Sequence, residues 1–186
     1  MNAVVKPEPL RRYLLIGAGH DRGKRVHLPE SPDKDFTTGE LVTLDIDLGT
    51  KPDVSHDLDV LPYPFAENEF DEIHAYEVLE HCGAQGDAKF FFGQFAEFWR
   101  ILKPGGLMCI SVPLWDCETA WAVPDHKRVL PPSIFGFLDQ NYYRNVGKPG
   151  YGDYRHLLGS TDFEPIGRQE ISQSQMLYVV LRARKS

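Results

Sequence analysis

Apolar residues along this chain come in short runs broken by polar, glycine- and proline-bearing stretches, the pattern of buried strands joined by turns. Tyr13-Leu14-Leu15-Ile16 stops at Gly17-Ala18-Gly19 and predicts a first strand entering a tight turn. Residues 41–46, 54–58, 70–76 and 107–112 predict four more strands, with β-branched residues prominent in several. Helical period is clearest over residues 87–102, where Phe91, Phe95, Phe98 and Leu102 recur at three- and four-residue steps before Lys103-Pro104-Gly105-Gly106 breaks the pattern. A shorter helical pattern begins at Val78-Leu79, and residues 133–138 predict another short helix. Residues 163–171 and 176–184, separated by Ser172-Gln173-Ser174-Gln175, read as an antiparallel hairpin. Residues 20–40 are polar and carry Pro29 and Pro32, which argues against a long helix there and leaves room for one or two turns near residues 23–28. Residues 117–132 and 141–158 read as long irregular segments.

Strands alternating with crossovers predict an α/β fold: a doubly wound, mostly parallel seven-stranded sheet, Rossmann-like, with a C-terminal antiparallel hairpin. A ligand then belongs beyond the carboxyl ends of the strands. The 186 residues, 42% of them hydrophobic, suit a single domain spanning 1–186 with a substantial core. A net charge of -7 disfavours nucleic acid as a partner. Cys82, Cys109 and Cys117 show neither a paired nor a metal-ligand spacing, and read as reduced thiols. Residues 1–12 lack the apolar core of a signal peptide, and no stretch approaches the roughly 18 apolar residues of a membrane span, so a soluble, cytoplasmic protein without membrane attachment is expected.

The glycine turn at 17–19 follows a strand, where missing side chains let a backbone approach a ligand. A dinucleotide-binding fingerprint would place glycine where Arg22 stands, and Gly23 comes one position late, which counts against a nicotinamide enzyme. Asp45, at the end of the second strand, suits the two hydroxyls of an adenosine ribose, with Asp47 competing for the role. Asp57 follows the third strand and suits an adenine amino group, with Leu58 packing on the ring; a turn cap is the alternative reading.

Seven ordered segments resemble the class I S-adenosylmethionine-dependent methyltransferases, and among them the methyltransferase type 11 group: Leu-Ile-Gly-Ala-Gly at 15–19, Leu-Asp-Ile-Asp at 44–47, His-Asp-Leu at 56–58, Leu-Pro-Tyr-Pro-Phe at 61–65, Phe-Asp-Glu-Ile at 70–73, Glu-Val-Leu-Glu-His at 77–81 and Arg-Ile-Leu-Lys-Pro-Gly-Gly at 100–106. The terminal hairpin matches the antiparallel seventh strand of that fold. The resemblance implies S-adenosyl-L-methionine as cofactor. Gly17, Ala18 and Gly19 would line its methionine part, Asp45 with Ile46 beside it would take the ribose, Asp57 and Leu58 the adenine, and Glu77 would stand near the sulfonium. The chain departs from the family at residues 20–40, where a first long helix is usual; His20, Arg22 or Lys24 could replace contacts of that helix's N-terminus.

For the acceptor side, His81 and His126 are the candidate bases, since imidazole titrates near neutrality. Asp125 stands beside His126 as a possible orienting carboxylate, and Arg128 as an anion binder. Trp115, Trp121, Tyr142, Tyr143, Tyr151 and Tyr154 could wall an acceptor or form a second core layer. The phenylalanine-rich helix reads as core, with a homodimer face as the alternative. No metal ligand set is expected. The resemblance implies methyl transfer to a small molecule, sugar, lipid precursor or protein. The competing reading is a non-catalytic binding or assembly module that keeps the fold.

Overall fold

The computed structural model describes residues 10–26 and 34–185. Seven strands form one sheet: β1 (Arg11–Ile16), β2 (Gly39–Asp45), β3 (Val54–Ser55), β4 (Phe70–Tyr76), β5 (Leu102–Pro113), β6 (Phe163–Ile171) and β7 (Met176–Ala183). Their spatial order is β3-β2-β1-β4-β5-β7-β6. The first five in that order are parallel neighbours, while β7 runs antiparallel to both β5 and β6. The mostly parallel seven-stranded sheet with its terminal hairpin is therefore the one the hydrophobic pattern predicts. Chain progression reverses direction between β1 and β4, which makes the crevice beyond those two strand ends the topological switch point.

The helix expected over 87–102 is α1 (Ala88–Ile101), and its start is set by Asp87, whose side chain accepts from the Phe90 N–H at 2.9 Å. Phe91, Phe92, Phe95 and Phe98 are buried against the sheet face that presents Leu14, Ile16, Ile73, Ala75, Met108 and Ile110. Each fully buried ring contributes about 2–3 kcal/mol. The break after the helix is shorter than the sequence suggests, because β5 begins already at Leu102. Phe70 pairs with Leu102 and Glu72 with Leu107, so residues 103–106 bulge out of the ladder, with Gly105 at φ +76°. Shorter elements in the connections are α2 (Thr119–Ala122), α3 (Arg155–Leu158) and 3-10 helices at Leu48–Thr50, Leu79–His81, Pro132–Leu138 and Gln140–Asn145, the third of these covering the short helix expected over 133–138.

The opposite sheet face is built differently. No helix forms in residues 20–26 or 34–38, and the turn considered near 23–28 is absent over 23–26, its last two residues lying outside the described ones. Val26 and Phe36 cover Tyr13, Leu15 and Cys109 there. A buried polar chain anchors the segment: Lys24 Nζ reaches Glu72 at 3.0 Å, Glu72 also takes Arg11 at 2.7 Å, and His74 Nε2 lies 2.9 Å from the same carboxylate. His74 Nδ1 meets the Tyr76 hydroxyl at 2.6 Å, and that oxygen accepts from the backbone N–H groups of Arg25 and Val26. Burial pushes the His74 pKa down. A neutral ring donating from Nε2 to Glu72 and accepting at Nδ1 satisfies every group in the chain.

Candidate functional site

The glycine turn stands at the switch point between the ends of β1 and β4. Gly17 has φ +60°, and a Cβ there would lie 2.5 Å from Val78 Cγ2, so Val78 closes the floor of the turn. Gly19 has φ +51° with open space where its Cβ would stand. The Ala18 N–H donates to the Leu44 carbonyl at 3.3 Å, and the Gly19 N–H to Asp45 Oδ2 at 2.8 Å. The Asp47 N–H takes the other oxygen, Oδ1, at 2.9 Å. Each carboxylate oxygen keeps one further acceptor site, enough for two hydroxyls. Asp47 is occupied elsewhere, capping a 3-10 turn through the Gly49 N–H at 2.7 Å. Ile46 is 65% exposed beside Asp45 and offers an apolar face.

Asp57 lies two residues past β3 and accepts the Asp59 N–H at 2.9 Å, which is the turn-former role, while leaving its second oxygen outside that bond. Leu58 packs into the main core. Asp59, not singled out by sequence, ties this loop to the Gly83 N–H at 2.7 Å and to Lys127 at 2.7 Å. Its partial burial raises the carboxyl pKa, but these bonds outweigh that and hold it below the usual carboxylate range. Glu77 sits at the end of β4 with φ +55°, half exposed, its N–H donating to Ser111 O at 2.8 Å. Arg25 spans from Glu77 to Asp21 across the mouth of the turn. Of the three replacements considered for a helix N-terminus, Arg22 is spent on the Thr50 and Lys51 carbonyls and Lys24 is buried on Glu72.

On the acceptor side the structure brings His81 and His126 together, edge to face with ring centroids 4.9 Å apart. Asp125 pairs with His81, at 3.2 Å from Nδ1, rather than with His126 as the adjacency in sequence suggests. Arg128 is 5% exposed and hydrogen-bonded to Leu79 O and Gln94, which removes it as an anion binder at a pocket mouth. Glu80, 3% exposed, shares this spot, and burial pushes its carboxyl up to about 7. Tyr154 lines a cavity of about 240 Å³ together with Phe91, Phe92, Ile134 and Phe137, whereas Trp115 and Trp121 are exposed and Tyr142 packs on Tyr143 and Tyr151. None of that cavity's walls comes from the glycine turn, Asp45 or Asp57.

The strand order with an antiparallel β7 between β5 and β6 separates this sheet from an all-parallel dinucleotide fold, which would run 3-2-1-4-5-6. Residues 39–110 match the methyltransferase domain family. This is the class I methyltransferase fold. Similar solved structures include an S-adenosylmethionine-dependent methyltransferase from Archaeoglobus fulgidus, 15% identical, covering 93% of this chain and 86% of that one at a TM-score of 0.57. The methyltransferase partner in a Haloferax volcanii complex with the activator Trm112 is 15% identical over 96% and 84%, TM-score 0.59. A Burkholderia thailandensis 1,6-didemethyltoxoflavin-N1-methyltransferase, solved with bound 1,6-didemethyltoxoflavin and S-adenosylhomocysteine, is 18% identical over 96% and 72%, TM-score 0.54. No curated protein matches the sequence.

Within the methyltransferase fold, besides Asp59, the sequence reading also missed Val78 under Gly17, Arg25 on Glu77 and the burial of Glu80. Val78 and Arg25 carry no local signal, since their roles arise where separate strand ends converge. Glu80 looks like an exposed acid in a helical start until the 125–128 segment covers it. No helix among the described residues is long and apolar enough to cross a membrane.

Proposed function

We propose that this protein binds S-adenosyl-L-methionine along the carboxyl edge of β2, β1 and β4 and transfers its methyl group to a small-molecule acceptor. The observation that carries the reading is the joining of the glycine turn to Asp45 at the switch point: a backbone cradle closed over Val78, and a carboxylate with two acceptor sites left for a ribose. Gly17, Ala18 and Gly19 hold the methionine part. Asp45 takes the ribose with Ile46 on the neighbouring apolar face, Asp57 with Leu58 takes the adenine, and Glu77 stands toward the sulfonium. When bound, the cofactor supplies an activated methyl on a good leaving group, so the protein's work is positioning and, for a protonated acceptor, proton removal. In the ion-free protein His81 and His126, with ring centroids 4.9 Å apart, are the candidates for that removal.

The test is a thermal-shift titration with S-adenosylmethionine, S-adenosylhomocysteine and NADH. A ligand at 100 times its dissociation constant adds about 2.7 kcal/mol, roughly 5–10 °C for a chain of this size. The two adenosyl ligands give that rise, NADH does not, and Asp45→Asn loses it while melting like the wild type without ligand. Absence of a rise at millimolar S-adenosylhomocysteine overturns the reading and favours the non-catalytic module, to which the missing helix in residues 20–26 lends support.

A further inference from the structure

We propose that Glu80, His81 and His126 form a binding site for one divalent transition-metal ion. Each offers a ligand atom, and these atoms lie within 4.8 Å of one another, a modest side-chain closure from the spacing of ligands about 2.0–2.2 Å from a common ion. Two of the donors are stranded. Among the described residues Glu80 Oε2 and His126 Nδ1 are buried with no hydrogen-bond partner. Arg128, the nearest buried cation in sequence, does not answer Glu80, because it donates to Leu79 O and Gln94. A buried carboxylate oxygen and a buried ring nitrogen, both unanswered, on two residues whose ligand atoms cluster with that of His81, are what a coordination site looks like before its ion is added.

The surroundings support the same assignment. The Glu80 carbonyl accepts the Lys127 and Arg128 N–H groups at 2.8 and 3.2 Å, and the His126 N–H donates to Val123 O at 3.1 Å, so main-chain bonds fix both flanks. The Asp125 carbonyl meets His81 Nδ1 at 3.2 Å, with the Asp125 carboxylate at the same distance, and a backbone carbonyl in that place orients a metal-bound imidazole through its other nitrogen. Two imidazoles and one carboxylate suit the ions from Mn²⁺ to Zn²⁺ rather than Mg²⁺ or Ca²⁺, which take oxygen ligands. The second cluster of metal-ligand type, Glu72, His74 and Cys109, differs in kind, because its carboxylate is already met by Arg11, Lys24 and His74. The proposed site lies just past Glu77 in the chain, where its ion could bind an acceptor hydroxyl and lower its pKa. That consequence rests on the methyl-transfer reading; the binding of the ion does not.

The experiment is a titration of chelator-stripped protein with Co²⁺, read by its visible ligand-field absorption, followed by displacement with Zn²⁺. The wild type develops bands that saturate at one ion per chain and fade on adding Zn²⁺. His126→Ala and His81→Ala lose them while keeping the wild-type melting curve, and the near-isosteric Glu80→Gln, which decides the matter if the histidine variants do not fold, weakens them. Absence of bands in the wild type, or bands undiminished in folded variants, overturns the site. The S-adenosylhomocysteine thermal shift, run on the same stripped protein, separates the two readings: a rise without bands removes the ion alone, and bands without a rise remove the cofactor alone.

Discussion

A methyl group at residue 17 would have to occupy the left-handed region at φ +60° and stand 2.5 Å from Val78 Cγ2. Strain and clash add, so Gly17→Ala should lower stability by about 2–4 kcal/mol in urea unfolding. Gly19→Ala meets only the backbone penalty, with nothing within 4 Å of the new Cβ, and should cost about 1–2 kcal/mol. Equal losses at the two positions would contradict the role given to Val78. Asp59 supplies a pH signature. Its folded-state pKa is depressed, so its contribution is complete above the unfolded carboxylate value of about 4 and is lost as pH falls through the folded value. Asp59→Asn should therefore cost about 1 kcal/mol at pH 7, with the gap to the wild type closing in strong acid. A gap that stays constant with pH would contradict it. Positions set by strand ends, such as that of Asp45 beside the glycine turn, were legible in the sequence. The pairing of Asp125 with His81 was not, because it depends on how two loops distant in sequence cross.

At the scale of elements, strands and α1 were legible because period and breaker agree: four phenylalanines on one face, Asp87 at the cap, and Pro104 with Gly105 past the end. In the connection from β1 to β2, the lack of a long helix in the described residues 17–26 and 34–38 was legible from its polar, proline-bearing sequence. What replaces it, a lysine driven into the sheet face onto Glu72, has no periodic signature, and three alternating polar residues on β4, Glu72, His74 and Tyr76, look like an exposed strand face. Lys24→Met should remove the anchor and cost roughly 3 kcal/mol, with hydrogen exchange rising first at Arg25 and Val26, whose N–H groups rest on Tyr76. Exchange at those amides unchanged by the substitution would show that the segment is held by other contacts.

For the whole molecule, the strand order β3-β2-β1-β4-β5-β7-β6 brings the residues of the proposed site to one edge of the sheet. Gly17, Asp45, Asp57 and Glu77 belong to four different strand ends, and the parallel pairing of β3, β2, β1 and β4 places those ends along one edge of the sheet. The 79–81 and 125–128 segments then continue from the same edge toward the histidine pair. The measurement that tests this most directly is backbone amide chemical-shift mapping during titration with S-adenosylhomocysteine. The account predicts the largest shifts at Gly17, Ala18, Gly19, Ile46, Leu58 and Glu77, with the β6–β7 hairpin unmoved. Shifts confined to the cavity beside Tyr154, or none at saturating ligand, would contradict it.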